Sequence, residues 1–155
     1  MTEWKTPFKE IKIGTGRKLR SGDDLAVLSI GHIGNIAAKG IDALRTTGYS
    51  VAHYDMRFVK PLDELLLHEV FGKFKHVITV EDAAIQGGMG SAILEFMAYH
   101  GYSAQVKRLG IPDRVVEHGS QKELYAECGF DDVALIAAVK EMIGAQGERH
   151  NSASA

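Results

Sequence analysis

Leu25-Ala-Val-Leu-Ser-Ile30, then the turn Gly31-His-Ile-Gly34, then Ile33, Ile36, Ala37, Ile41 and Leu44 at helical spacing: this stretch decides the fold class. A nearly continuous apolar run of six residues is how a strand buried on both faces reads. The glycines turn the chain. The 3.6-residue spacing that follows predicts a helix to about Thr47, with one apolar face. Gly48 then sits at C′, where a left-handed backbone favours glycine. A doubly buried strand that turns into a helix is the repeating unit of an α/β sheet.

The same unit recurs outward from this stretch. Val51-Ala-His-Tyr-Asp-Met56 is a second strand, and Pro61 is expected to open a helix over 62–73. Proline is tolerated in a first turn, whose N–H groups lack intrahelical acceptors, and Asp63 and Glu64 suit the positive end of the helix dipole. His76-Val-Ile-Thr-Val80 is a third strand, followed by a glycine-rich loop and a helix over 89–100 with Ile93, Phe96 and Met97 inward. Ser103 to Leu109 is a fourth. Ser120-Gln-Lys-Glu123 is a capping-box pattern that starts a short helix ending near Gly129. Asp131 or Asp132 caps a last helix, with Val133, Ile136, Val139 and Ile143 along one side. Four alternations of strand and helix predict a mostly parallel sheet covered on both faces. Arg17 to Arg20 is read as a short additional edge strand. Residues 1–16 form an arm with Trp4 and Phe8 as apolar anchors, 17–144 the domain, and 145–155 a disordered tail without periodicity.

Composition narrows the function classes. A chain of 155 residues is expected to be one domain, and a formal net charge of −2 gives no reason to expect nucleic acid as a partner. Cys128 is the only cysteine, so no intramolecular disulfide or cysteine-based metal cluster is available, and a reducing, cytoplasmic compartment fits. The first ten residues lack the apolar core of a secretion signal, and the apolar runs are too short to span a bilayer.

Three polar, strand-end loops carry the candidate chemistry. In Gln86-Gly-Gly-Met-Gly-Ser91, the residues Gly87, Gly88, Gly90 and Ser91 open a helix, and free N–H groups there could hold an anion. The spacing is neither a P-loop nor a dinucleotide fingerprint, and a tight turn or domain contact is the favoured role. Glu81 and Asp82 are adjacent at a strand end, and because neighbours on a strand point to opposite faces they converge only if the loop bends sharply. Their expected roles are hydrogen bonds to the glycine loop or pairing with Arg57 or Arg114, not acid–base catalysis. His118 follows Glu117 in a polar loop, as an organising or interface residue. The histidines at 32, 53, 68, 76, 100, 118 and 150 include no pair at i, i+3 or i, i+4, so zinc is not expected. Arg57, Arg114 and His118 complete the possible anion or interdomain surface. A small enzyme would instead need Glu81, Arg114 and His118 to converge in one closed pocket. No catalytic, cofactor-binding or metal-binding residue is assigned within the chain.

The order of these loops resembles a known family. Ile13-Gly-Thr-Gly-Arg-Lys-Leu-Arg20, Arg57-Phe-Val-Lys-Pro-Leu-Asp63, Val80-Glu-Asp-Ala-Ala-Ile-Gln-Gly-Gly-Met-Gly-Ser-Ala92 and Leu109-Gly-Ile-Pro-Asp-Arg-Val-Val-Glu-His-Gly119 resemble the C-terminal domain of the 1-deoxy-D-xylulose-5-phosphate synthases, of the transketolase family. The Glu-His-Gly ending points to the synthases and away from transketolase or the 2-oxoacid dehydrogenase β subunits. The resemblance implies a three-layer α/β/α fold with five strands, the first antiparallel to the rest. It implies a full-length homodimeric enzyme that uses thiamine diphosphate and Mg2+ to join pyruvate and glyceraldehyde 3-phosphate with loss of carbon dioxide. The family's Gly-Asp-Gly metal and diphosphate motif is not matched by Gly22-Asp23-Asp24, and the glutamate that activates the cofactor belongs to the middle domain. The chain is thus expected to be a domain cut from such an enzyme or a separate subunit, inactive alone and packed on upstream pyrimidine- and pyrophosphate-binding domains. The alternative is an anion- or nucleotide-binding regulatory module.

Overall fold

The computed structural model describes the backbone of residues 9–152 and the side chains of residues 9–144. In chain order the elements are β1 (Arg17–Arg20), β2 (Leu25–Ser29), α1 (Ile33–Thr46), β3 (Val51–Asp55), α2 (Glu64–Lys73), β4 (His76–Ala84), α3 (Met89–Tyr99), β5 (Gln105–Ile111), α4 (Gln121–Cys128) and α5 (Asp132–Ser152). The strands form one sheet in the order β1-β3-β2-β4-β5, with β1 antiparallel to β3 and every other pair parallel.

β2 lies in the middle, which is why all five of its residues are buried. Leu25 and Val27 face one core with α1, α4 and α5; Ala26 and Leu28 face a second core with α2 and α3. Successive side chains on a strand alternate faces, so one apolar run feeds both layers. The three-layer arrangement with one antiparallel edge strand is the one implied by the family resemblance. Where α1 crosses α5, a Cβ on Gly40 would lie 3.1 Å from the Asp132 carbonyl oxygen, so the small residue sets their approach.

Four details differ from the sequence reading. α2 opens at Glu64, not after Pro61, because the Asp63 carboxylate accepts from Leu66 N–H at 3.0 Å and caps the helix. Its other oxygen accepts from Gly16 N–H at 2.8 Å and holds the incoming arm, and the Lys60–Pro61 bond is cis. β4 runs on to Ala84, so Glu81 and Asp82 are strand residues. On α5 the buried stripe is Leu135, Ala138, Val139 and Met142, with Val133 68% exposed. Asp131 caps this helix, accepting from Ala134 N–H at 2.8 Å. α5 also continues beyond Ala145 as far as Ser152, into the segment read as a disordered tail. Residues 1–8, with Trp4 and Phe8, and residues 153–155 lie outside the described residues.

Candidate functional site

In an open parallel sheet, ligands collect at the carboxyl ends of the strands, where neighbouring strands send their connections in opposite directions. Here that point lies between β2, which leads to β3 on one side, and β4, which leads to β5 on the other. The loops after β2, β3, β4 and β5 all open on this edge.

The glycine loop after β4 is closed by its own chain. Glu81 is 1% exposed, and its two carboxylate oxygens accept from Met89 N–H at 2.6 Å and Gly90 N–H at 2.8 Å. These are the first-turn donors of α3, whose N-cap Gly88 supplies no side chain. A Cβ on Gly88 would lie 2.2 Å from a Glu81 oxygen and 2.5 Å from the Ala84 carbonyl, so the carboxylate requires glycine there. Ser91 Oγ accepts from Gly87 N–H at 3.0 Å and donates to the Ile85 carbonyl at 3.0 Å. Arg108, on β5, donates to that carbonyl at 2.8 Å and to Ser91 Oγ at 2.9 Å. The predicted hydrogen bond from a strand-end carboxylate to the loop is therefore Glu81's. The anion that the α3 N-terminus could hold is already supplied by the protein.

The loop after β3 carries Arg57 at φ 57, a left-handed backbone unusual for a residue with a side chain. Asp55 explains it: its carboxylate accepts from Arg57 N–H at 3.2 Å and from Arg17 Nε at 3.0 Å, with Arg57 Nε 3.8 Å away. Arg17 and Arg57 line an open cleft of about 550 Å3 with Gly31, His32, Asn35 and Phe58. Neither Glu81 nor Asp82 is the partner of Arg57.

Asp82, one residue on from Glu81, faces the other way and meets Tyr125 of α4. The Tyr125 hydroxyl donates to the Asp82 carboxylate at 2.6 Å and accepts from His32 Nε2 at 2.6 Å, with His32 and Asp82 3.4 Å apart. Burial, and after it the carboxylate, push the Tyr125 phenol up to about 12. This clasp ties the α1 N-terminus, β4 and α4 together at the switch point. His32 is the N-cap of α1 but makes no capping bond with its side chain. Beside the clasp, a cavity of about 380 Å3 is walled by Ile111, Val116, Leu124, Cys128 and Phe130. Asp82 and Glu117 border it, whereas Glu81, Arg114 and His118 are not in its wall, so the convergence that an independent enzyme would need is not formed there. Arg114 pairs with Glu127 at 3.0 Å on the surface, and His118 lies in the exposed 112–120 loop.

Sequence reasoning passed over His32, Tyr125 and Arg108. Only Gly31-His-Ile-Gly34 gave a signal, as a weaker glycine loop. Tyr125 is 93 residues from His32 and 43 from Asp82, separations that local pattern cannot join.

The architecture and its strand-end loops define an α/β domain of the transketolase type. Residues 14–135 match the family described as "Transketolase, C-terminal domain", and the chain belongs to that family. It is 60% identical over 144 residues to a 1-deoxy-D-xylulose-5-phosphate synthase of Cytophaga hutchinsonii, a match that covers 93% of this chain and 23% of that protein. It is 54% identical over 140 residues to the synthase of Bacteroides fragilis, covering 90% and 22%. The chain thus spans less than a quarter of the length of these relatives. The resemblance read from the loops is the one these relatives carry. Among solved structures, "Split gene transketolase, inactive beta4 tetramer" superposes with a TM-score of 0.80 at 27% identity, over 92% of this chain and 45% of that one. A transketolase of Campylobacter jejuni shares the fold, with a TM-score of 0.59 at 18% identity over 86% of this chain and 19% of that one.

Proposed function

We propose that this chain acts as the C-terminal domain of a thiamine-diphosphate-dependent 1-deoxy-D-xylulose-5-phosphate synthase. That enzyme joins pyruvate to glyceraldehyde 3-phosphate with loss of carbon dioxide, in the cytoplasm, on the way to isoprenoid precursors. The observation that carries this reading is 60% identity to a synthase over 93% of the chain, which favours it over transketolase or a dehydrogenase β subunit.

The domain's own contribution is assembly: it packs on the upstream pyrimidine- and pyrophosphate-binding domains and stabilises the homodimer. Thiamine diphosphate and Mg2+ are then held by those domains. The glycine loop of this chain offers that cofactor no seat. The helix N-terminus best placed for a diphosphate is taken by Glu81, whose charge would repel it. Among the described residues, no group of three or more His, Cys, Asp or Glu is placed to hold a metal ion. Gly87, Gly88, Gly90 and Ser91 serve the turn into α3, while Arg57, Arg114 and His118 are surface residues of the strand-end loops.

Two measurements test the reading. Calorimetric titration of thiamine diphosphate and Mg2+ into the isolated chain is expected to give no binding heat; saturable binding would overturn the assembly role. Substituting the chain for the matching segment of the Cytophaga hutchinsonii synthase is expected to leave an active dimer. An inactive, correctly folded dimer would count against membership in that enzyme. A second reading, an anion-binding regulatory module, is favoured only by the cleft holding Arg17 and Arg57.

A further inference from the structure

The cavity beside the clasp, of about 380 Å3, lies where β4 and β5 end and is bounded by α4 and the 112–120 loop. Phe130 and Tyr125 are buried in its wall, with their rings 4.6 Å apart. Ile111, Val116, Leu124 and Cys128 also line it and are only half-buried, so apolar surface faces the hollow. Its volume is that of a small-molecule pocket, and the carboxyl ends of strands beside a switch point are where such pockets form. The charged groups in the wall are of one sign. Asp82 and Glu117 are there, and among the described residues no Lys, Arg or His is. The contacts of Asp82 with Tyr125 and His32 both fall on Oδ2, so among the described residues its Oδ1 has no partner. Glu117 has no ion pair among them; Arg114, in the same loop, pairs with Glu127.

We infer that this cavity binds a small organic cation, an amine or ammonium carried on an aliphatic or aromatic body. The apolar wall takes up the body, and the two carboxylates take up the charge. A hydrogen bond from N+–H to a carboxylate is stronger than one between neutral groups, so Asp82 and Glu117 favour the cation over a neutral molecule of the same shape. The aromatic rings of Tyr125 and Phe130 favour it in the same sense. The Tyr125 phenol, pushed up to about 12 by burial and then by Asp82, stays neutral and keeps donating to that carboxylate. An anion of the same size would meet two like charges, which selects against it. The site is complete within this chain and goes beyond the assembly role.

Three probes of similar shape and different charge test the assignment: 2-phenylethylammonium, 2-phenylethanol and phenylacetate. Each is titrated into the full chain and followed by NMR. The ammonium is expected to shift the amides of residues 116–128 and to saturate at about millimolar concentration. The alcohol should bind about tenfold more weakly, and phenylacetate should not bind. Asp82→Asn is expected to remove most of the tenfold preference for the ammonium. Glu117→Gln, on the exposed loop, should lower that preference by about threefold and leave the melting temperature unchanged, which keeps the test sound if Asp82→Asn loosens the clasp. Cys128, the only cysteine of the sequence, gives a second readout from the cavity wall. At ten times its Kd the ammonium should slow alkylation of Cys128 by iodoacetamide about tenfold, since about one site in eleven is then empty. Equal binding of the ammonium and the alcohol, tighter binding of phenylacetate, or a preference unchanged in both variants would overturn the proposal. So would saturable shifts confined to residues outside 111–130, or no saturable shift at all. None of these outcomes bears on the synthase reading, which the segment exchange tests separately.

Discussion

Two loops at the carboxyl edge of the sheet look alike in sequence and differ in what they leave open. Gly31-His-Ile-Gly34 and Gln86-Gly-Gly-Met-Gly-Ser91 both turn a buried strand into a helix through glycine. In the second, Glu81 reaches from β4 and takes the first N–H groups of α3. In the first, the strand ends in Ser29, which hydrogen-bonds His53 at 2.8 Å, and His32 turns its side chain to Tyr125 and away from the N–H groups of α1. The richer glycine loop is the closed one. What decides whether a helix N-terminus can receive a ligand is thus the residue on the preceding strand, not the glycine content of the turn.

The largest test of this contrast removes the internal anion. Glu81→Ala leaves two buried donors unmatched and is expected to destabilise the domain by about 3–5 kcal/mol in urea denaturation. A cost below about 1 kcal/mol would mean that α3 does not depend on the carboxylate and would break the comparison.

Next comes acid, which probes the other loop's support. His53 is fully buried, and burial, with Arg20 nearby, lowers its imidazole to about 4 from the ordinary 6.5. The unfolded chain therefore binds this proton more readily than the folded one, so the contribution is intact above 6.5 and is lost as pH falls toward 4. The loss should reach about 3 kcal/mol at its largest. His53→Gln, followed by thermal melts across that range, should flatten the slope; an unchanged slope would assign the acid sensitivity elsewhere.

A smaller effect is expected at the clasp. Tyr125→Phe keeps the packing and removes the bonds to His32 and Asp82, for a loss of about 1 kcal/mol. Faster hydrogen exchange in α4 should accompany it, because Tyr125 is the one buried residue of that helix. The smallest effect sharpens the comparison most. Inorganic phosphate followed by NMR should leave the amides of Met89 and Gly90 unmoved, since Glu81 holds them. Shifts confined to residues 31–35 and 57 would favour an anion in the cleft by Arg57, and shifts at 87–91 would show that the glycine loop is open after all.

Much of this architecture was legible in the chain. The alternation of apolar runs and amphipathic stretches gave the parallel sheet, and Ser120 with Glu123 forms the capping box that the pattern predicts. The antiparallel first strand and the three layers came through the family resemblance, and the structure has both. The errors were local. Proline suits a first turn, so the sequence has Pro61 open a helix over 62–73, yet Asp63 offers the stronger start by capping the helix and gripping Gly16 together. Val133 was placed inward because an i, i+3 series fits a helix face, but two apolar series coexist on α5 and only packing on α1 selects between them.

The sequence by itself determined the secondary elements, the family and the three strand-end loops, because these depend on periodicity and on residues close together in the chain. Only the tertiary structure decided what those loops do to one another. Glu81 and Asp82 are neighbours in sequence and part ways on the strand, one sealing a helix and the other joining a clasp. His32, Asp82 and Tyr125 meet only because parallel strand order brings distant segments to one edge. The choice between an open and a filled anion site is made by side-chain direction across such contacts, and the sequence does not encode that locally.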